Sequence, residues 1–589
     1  NITVFSVHGR RPLDGRLMIN GLSARNLLSS GWASNFVPDM GTAAEVAMET
    51  SSGSAEAIGS GFTINVIPKE GGNAFRGSFF ATGANTSFQS NNYTAELQAK
   101  GLASPNELKR IYDINPAVGG PILKNRVWFF GSMRWQESTF NYAGAFLNKN
   151  LGDPTKWNYE PDLSAPGEDI KKMTPTGSIR LTVQATPRNK FGFSFEPQSR
   201  YWQTASANQA PEIYSSWSFQ RESMTTASYS SPITNRLLVD ARFGHHAEGF
   251  VDDCAPSVDA ACAGYGPTSR KFADAIVVQD LNTGLIYRGN GYCCSAFAIY
   301  GTQHGPHIMQ AQSSLSYVTG AHAMKFGWMN DFGTSTSCQY DNTGAMSFRF
   351  GGGVTDSAGR SLTPVAIEQH ALPYCATTHL SAEMGIYAQD KWTIGRATIN
   401  GGLRFDYFKN NFPDQHLGPT VWTPTRNITI PSQEYNNMKD ISPRIGFAYD
   451  LTGDGKTAIK TACGKYVSGG DAAQGNPINN LATRASRSWT PSLPFGHPNY
   501  YVPQCNLLSP LANGDCGPLD NQLFGQLTPS AAIDPATHTG WGNRFWSQEF
   551  SASVQREILP RVSVDVGYFR RWYGNFQVVD NRAVTAADF

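Results

Sequence analysis

Residues 396–407, Arg396-Ala397-Thr398-Ile399-Asn400-Gly401-Gly402-Leu403-Arg404-Phe405-Asp406-Tyr407, alternate two kinds of side chain. Ala397, Ile399, Leu403, Phe405 and Tyr407, with Gly401 among them, fall on one face of a strand. Arg396, Thr398, Asn400, Gly402, Arg404 and Asp406 fall on the other. A period of two marks a β-strand whose faces meet different surroundings. The pattern recurs at Ile179, Leu181, Val183 and Ala185 against Arg180, Thr182 and Gln184, and at Val562, Val564, Val566 and Tyr568 against Ser563, Asp565 and Gly567. Phe191, Phe193 and Phe195 alternate in the same way with Lys190, Ser194 and Glu196. From about residue 74 onward the chain reads as strand after strand. A soluble sandwich also alternates, so the period leaves two classes open: a large soluble all-β protein and a membrane β-barrel.

The connections favour the barrel. Very short turns occur at Gly120-Pro121 to Asn125, Thr186-Pro187-Arg188-Asn189, Pro232 to Asn235, Thr319-Gly320-Ala321, Gly395-Arg396, Gly453-Asp454-Gly455 and Leu559-Pro560. Between them lie long segments rich in Gly, Pro, Asn and Ser, at about 88–109, 141–174, 202–213, 251–306, 339–380, 411–442 and 469–542. Short and long connections alternate strictly, the habit of outer-membrane barrels, with short turns on one rim and long loops on the other. Sandwiches and propellers have no reason to alternate in this way. One strand near 74–87 followed by seven short-turned hairpins predicts about fifteen strands, several of about 14 residues. A bilayer needs roughly 9–11 residues per strand, so these strands run past it. Aromatics gather beside the turns, at Val127-Trp128-Phe129-Phe130, Trp392 and Trp572-Tyr573, as interfacial girdles do.

Composition agrees. Of 589 residues, 40% are hydrophobic, 12% aromatic and only 16% charged, against about 25% charged in an ordinary soluble chain. No apolar run approaches the roughly 18 residues of a membrane-spanning helix. A net charge of +1 carries no nucleic-acid footprint. Residues 1–72 differ from the rest: short apolar stretches, Leu17-Met18-Ile19 and Phe62-Thr63-Ile64-Asn65-Val66-Ile67, lie between glycines and polar residues, and Glu45–Glu49 reads as a strand entering a glycine-rich loop. This predicts a small mixed α/β segment ahead of the first barrel strand, suited to plugging a wide lumen. The division is thus 1–72 and 73–589. Neither the opening at Asn1 nor the polar run ending at Phe589 has the form of a natural terminus, and both ends read as cut edges.

Nine cysteines form no Cys-x-x-Cys and have no histidine at zinc-finger spacing. Cys254/Cys262 and Cys505/Cys516, close pairs in turn-forming sequence, are expected to be disulfides of an oxidising compartment. Cys463, inside a strand-like run, is expected to be a free buried thiol, and Cys293 and Cys294 to seek separate partners in the 251–306 loop.

The stretch Ile64-Asn65-Val66-Ile67-Pro68-Lys69-Glu70-Gly71-Gly72-Asn73-Ala74-Phe75-Arg76-Gly77-Ser78 resembles the plug-to-barrel junction of the TonB-dependent outer-membrane receptors, within them the Oar-like branch. Arg10-Arg11-Pro12 and Ile19-Asn20-Gly21 resemble plug phrases of that family. Gly119-Gly120-Pro121-Ile122, Tyr387-Ala388-Gln389-Asp390-Lys391-Trp392 and Ser442-Pro443-Arg444-Ile445-Gly446-Phe447 resemble its barrel phrases. The resemblance implies a 22-stranded barrel around an internal plug, in the outer membrane of a Gram-negative-type bacterium. It also implies energised import, with a TonB-type inner-membrane complex as partner. The TonB box, the first half of the plug and the last strands have no counterpart in these residues. The chain is therefore expected to be the end of a plug with about fifteen of those strands. It would carry two unpaired strand edges that a bilayer does not tolerate, and so is not expected to work alone. Among plug residues, Arg10, Arg11, Asn20, Glu45, Glu56 and Lys69 match family phrases. They are expected to pair with lumen charges such as Arg404 and Asp406, locking the plug rather than touching substrate, because buried charges are normally paired.

Catalytic patterns fail on inspection. Gly455-Lys456-Thr457 ends like a phosphate-binding loop, but position 450 is Asp where glycine is required, and the run sits in a hairpin turn. His245-His246 cannot both chelate one ion, since neighbours on a strand point to opposite faces. No zincin motif, nucleophile elbow or zinc framework is present, so no enzyme and no cofactor is expected. What remains is recognition by long loops carrying Tyr, Trp, Asn and Gly. The expected function is energised uptake of a bulky ligand such as a siderophore, oligosaccharide or peptide. The alternative is a surface barrel for adhesion or protein binding. A passive porin is disfavoured by the plug-like segment.

Overall fold

The computed structural model describes residues 6–11, 14–27, 36–49, 54–59, 62–252, 275–289, 300–342, 344–529, 533–581 and 584–588. Fifteen long strands follow one another around a barrel outline. They are Arg76–Asn85, Glu107–Leu123, Val127–Asn148, Pro161–Gln184, Lys190–Thr204, Ser215–Pro232, Leu237–Ala247 and Tyr300–Thr319, then His322–Tyr340, Tyr374–Ile394, Ala397–Phe412, Gln433–Asp450, Thr457–Val467, Trp546–Leu559 and Val562–Gly574. Each pairs antiparallel with the next. The fold expected from the alternation, a large antiparallel outer-membrane barrel, is the fold found.

The strand order brings the first and last strands together as neighbours around the barrel, but no residue-to-residue register joins them among the described residues, and both are exposed on both faces over most of their length. Adjacent residues Phe79 and Phe80 are 73% and 53% exposed, and Val562 to Tyr568 are exposed without a break. This seam holds the two expected unpaired edges.

The wall is two-faced in the sense the sequence predicts. Leu403, Ile179, Phe191, Phe193 and Val566 are exposed outward, whereas Arg404, Asp406, Arg180, Thr182, Ser194 and Glu196 are buried inward. The seven short turns stand on one rim and the seven long connections on the other. The six-residue turn after Asp450 is organised by that carboxylate, which accepts from Gly453 N at 2.9 Å and Gly455 N at 3.0 Å. Its backbone donors are thus occupied, which accounts for the false phosphate-loop pattern.

Several expectations need correction. Strands reach 24 residues at Pro161–Gln184 and 22 at Val127–Asn148, well beyond 14, so the connection expected at 141–174 shrinks to 149–160. These extensions pair with each other above the membrane-crossing length, where water tolerates their polar residues. Pro121 lies in a strand, not in the turn, and Phe130 is buried on the inward side. Cys463 is free but exposed, because its place in the alternation puts it on the outward face.

Within the described residues of the first 72 there is no α-helix, contrary to the mixed α/β expectation. Four short strands form a sheet ordered Leu22–Ser23, Arg16–Ile19, Thr63–Pro68, Ala43–Glu49. Its apolar runs are too short for a helix and are cut by turn residues. Arg16–Ile19 and Thr63–Pro68 run parallel and the other pairs antiparallel. Asn20 and Gly21, with φ of 51° and 80°, make the two-residue turn of the first hairpin, which needs residues tolerant of positive φ at both places.

The long connections are not loose. Five strands from three of them, Ile286–Tyr287, Val277–Asp280, Met346–Phe350, Pro364–His370 and Arg484–Ser488, join in one sheet above the barrel. This cap has its own core of Tyr159, Val278, Tyr287, Phe348, Phe350, Ile367 and Trp489. Cys505–Cys516 is a disulfide beside that core, and Cys338–Cys375, unforeseen from spacing, joins directly opposed residues of two barrel strands. Cys254, Cys262, Cys293 and Cys294 lie outside the described residues.

Where the cap meets the barrel, His370 is buried between two carboxylates, with Nδ1 on Asp341 and Nε2 at 3.2 Å from Glu368. Burial alone would lower the imidazole, but Asp341 and Glu368 outweigh it and raise it to about 9. A raised folded-state value contributes stability that is complete below the unfolded value, about 6.5, and is lost as pH rises through about 9. Burial raises Asp341, which offsets part of the gain. Proteolysis of the cap is therefore expected to accelerate, on the order of tenfold, between pH 7 and pH 10, while His370→Gln flattens the profile. An equally steep profile in the variant would contradict this coupling.

Candidate functional site

The inner sheet has a core of its own. Leu17, Ile19, Leu22, Ala24, Phe36, Phe62 and Val66 pack together and take in one wall residue, Met224. A second apolar contact seats Leu27 against Ile308, Leu380 and Phe408. The other side chains that bridge sheet and wall are mostly polar, and they concentrate in three places.

The first is Glu383, on the strand Tyr374–Ile394. It takes Arg16 at 3.1 Å and also Arg25 from the inner segment, with Arg544 of the last long connection at 3.9 Å. Arg25 lies 3.5 Å from Asp331 as well. All these side chains are buried. The second is Glu549, which holds Arg10 at 2.9 Å together with Arg571 from the last strand. Two carboxylates on the wall are thus shared by guanidinium groups from both bodies, the arrangement that keeps buried ions compensated.

The third is the loop around residues 54–57. Arg404 donates to Glu56 O at 3.1 Å and Ala55 O at 3.3 Å while bonding Asp406 at 2.6 Å. Arg444 donates to Ser54 O, and Gln389 accepts from Ala55 N at 2.9 Å. The Glu56 carboxylate pairs with Lys325. Arg404 crosses directly over Gly385, where any side chain would collide with the guanidinium.

Glutamines complete the contact. Gln310 accepts from Ser23 N at 2.7 Å and donates to Ser23 O, and Gln198 brackets Val37 at 3.1 and 2.6 Å. Each amide satisfies one donor and one acceptor of an unpaired backbone segment, as a neighbouring strand would. Between the inner sheet and the wall lies a cavity of about 230 Å³ whose polar lining includes Arg16, Glu49, Arg242, Gln312 and Asp331.

The residues singled out from sequence meet different fates. Arg10, Glu56, Arg404 and Asp406 are in the interface, although Arg404 holds backbone carbonyls and not a plug carboxylate. Arg11 pairs with Asp14 of its own segment at 2.8 Å and reaches Ser468 at 2.9 Å. Asn20 serves the hairpin turn. Glu45 is exposed on the sheet edge, and Lys69 bonds Gly41 O of its own sheet at 2.9 Å. Sequence reasoning missed Arg16, Arg25, Asp331, Glu383 and Glu549. Each wall carboxylate occupies an inward register position, so the alternation marked its side without marking its partner.

An antiparallel barrel with an exposed apolar exterior, a polar interior and a small sheet bound inside it defines the class: an outer-membrane β-barrel protein with a filled lumen. The chain belongs to the outer membrane beta barrel domain family, whose model matches residues 67–148 and 141–571. It is 31% identical over 70 residues to the TonB-dependent transporter Oar of Myxococcus xanthus, covering 12% of this chain and 7% of Oar. In fold it is similar to the outer membrane transporter YddB from Escherichia coli, with a TM-score of 0.54 at 10% identity, over 96% of this chain and 71% of YddB. It is likewise similar to the ferric yersiniabactin uptake receptor FyuA from Yersinia pestis, with a TM-score of 0.50 at 10% identity, over 96% of this chain and 64% of FyuA. These relatives are transporters and receptors, and the place of the chain is the outer membrane of a Gram-negative bacterium.

Removing Glu383 leaves Arg16 and Arg25 buried without their shared partner, a loss of about 3–5 kcal/mol for a buried pair. In Glu383→Gln, amide exchange across Arg16–Ser23 is expected to accelerate by at least tenfold while the barrel ladders stay protected. Unchanged exchange in that hairpin would show that the cluster does not hold the inner sheet.

Proposed function

We propose that this chain is the gated barrel of a TonB-dependent receptor that imports a bulky extracellular ligand when a pull from the inner membrane displaces the inner sheet. The observation that carries the reading is the division of contacts: the inner sheet shares its apolar core with the wall only at Met224, Leu27 makes a second small apolar contact, and the other bridging side chains are mostly polar. Water can replace such contacts when the sheet moves, whereas a shared hydrophobic core would have to be torn open. On this reading residues 1–72 belong to the plug, residues 73–589 to the barrel, and the seam is where further strands of a 22-stranded wall would pair.

The cap supports recognition at the outer rim. Trp157 stacks on the buried Phe348 at 5.2 Å and on Tyr501 at 5.6 Å, with Arg288 over its ring at 3.9 Å, so an aromatic core holds the cap together as a firm base for the residues on its outside. That same cap is what favours the second reading, a surface barrel that binds a partner without transport.

The two readings separate in cells carrying the full-length protein. Uptake of radiolabelled ferric siderophores, oligosaccharides and peptides is expected for one of these classes. It should fall to background when the energising complex is deleted, with surface binding retained. Uptake that persists without that complex, or binding that never leads to uptake, would overturn the transport reading.

A further inference from the structure

The sequence excludes His245 and His246 as joint ligands of one ion, and the structure separates them as expected. His245 stacks on His307 on the outward side, while His246 is fully buried inward. The same geometry places two carboxylates around His246. On the adjacent strand Met224 is paired with His246, so Glu222, two residues earlier, shares the inward face. Glu248 follows His246 by two residues and returns to that face just beyond the strand end. One ligand atom from each of Glu222, His246 and Glu248 lies within 4.8 Å of the others, and all three residues are buried.

The imidazole is set up as a ligand. Its Nδ1 is 3.0 Å from the Arg25 carbonyl oxygen, which can only accept, so Nδ1 carries the proton and Nε2 presents a lone pair. Among the described residues Nε2 has no hydrogen-bond partner, and it faces Glu248 Oε2 at 4.0 Å. Glu222 is held from behind by Arg200 on Oε2, at 2.7 and 2.9 Å, which leaves Oε1 without a hydrogen-bond partner. Asn26 donates to Glu248 Oε1 at 3.2 Å, fixing the third group. The Arg25 carbonyl behind the histidine, with Arg200 and Asn26 behind the two carboxylates, forms the kind of outer shell that metal sites use.

We propose that Glu222 Oε1, His246 Nε2 and Glu248 Oε2 bind a first-row divalent cation of the zinc class. One imidazole nitrogen and two carboxylate oxygens suit such an ion better than calcium or magnesium, which take oxygen ligands alone. Ligand bonds of about 2.0–2.2 Å put tetrahedral ligand atoms roughly 3.3–3.6 Å apart, so separations of up to 4.8 Å close by up to about 1.5 Å, with water taking the fourth position. Because the outer shell includes Arg25 O and the Asn26 side chain, the ion would fasten this part of the inner segment to the wall. The cation thereby adds a lock to the gate proposed above. Its presence is measured separately from transport.

The full-length protein, purified in detergent, stripped with chelator and dialysed against micromolar zinc, is expected to retain one zinc per chain. H246N and E222Q should each lose it, with circular dichroism confirming an intact barrel. H245N, which breaks only the outward histidine pair, should keep it. Retention in H246N, loss in H245N, or no stoichiometric zinc in the wild type would overturn the proposal. X-ray absorption of the zinc-loaded wild type decides the matter without any variant. A single imidazole in an otherwise oxygen shell supports the site. Two imidazoles would place the ion on His245 and His307 and refute it.

Discussion

A strand that crosses a bilayer has no water to satisfy its backbone, so every amide and carbonyl must bond to a neighbouring strand. That constraint makes the sheet continuous and forces each strand to present one face to hydrocarbon and the other to the lumen. Its effect is visible in single residues: Phe193 and Phe195 stand 46% and 39% exposed, with Ser194 between them at 2%. It also explains why the seam is conspicuous. Arg76–Asn85 and Val562–Gly574 each carry a ladder on one side, and among the described barrel strands these two stand open on both faces over most of their length.

The same constraint shapes what fills the barrel. An inward face built from Arg404, Asp406, Glu383, Gln310 and Glu549 cannot be sealed by an apolar plug without stranding charges, so whatever sits inside must answer it with polar groups. The inner sheet does so with Arg10, Arg16 and Arg25 and with backbone atoms at Ser23, Val37, Ala55 and Glu56. It gathers most of its buried apolar residues into one core, to which the wall adds Met224. Stability of the sheet and its attachment to the wall thereby become largely separate quantities, as the gate proposed above requires.

The sequence made legible whatever depends on spacing along one strand. The strand faces, the seven turns, the strand number and the inward position of Arg404 and Asp406 all follow from a period of two and from turn residues. The partners were not legible, because they are set between strands. Nothing near Glu383 in the chain points to Arg16, which lies 367 residues away. The cap was hidden for the same reason: Val277–Asp280 pairs with Met346–Phe350, and Pro364–His370 with Arg484–Ser488, across connections that each read alone as polar loops. Asn20 is the opposite case. A polar residue matching a family phrase reads as a lumen contact, whereas the φ of 51° that Asn20 adopts gives it a local reason in the hairpin turn.

His246 joins these two lessons. Read along the chain, His245-His246 is a pair that cannot chelate, and that argument holds. Read across the sheet, the alternation that separates the two histidines puts His246 on the face where Glu222 and Glu248 already stand. An exclusion drawn from one strand therefore says nothing about ligands gathered from two. The carbonyl of Arg25 adds the further step: the residue whose guanidinium meets Glu383 also orients His246 through its backbone. The charge lock and the carboxylate–histidine cluster thus converge on one short stretch of the inner segment, and displacing that stretch must disturb both together.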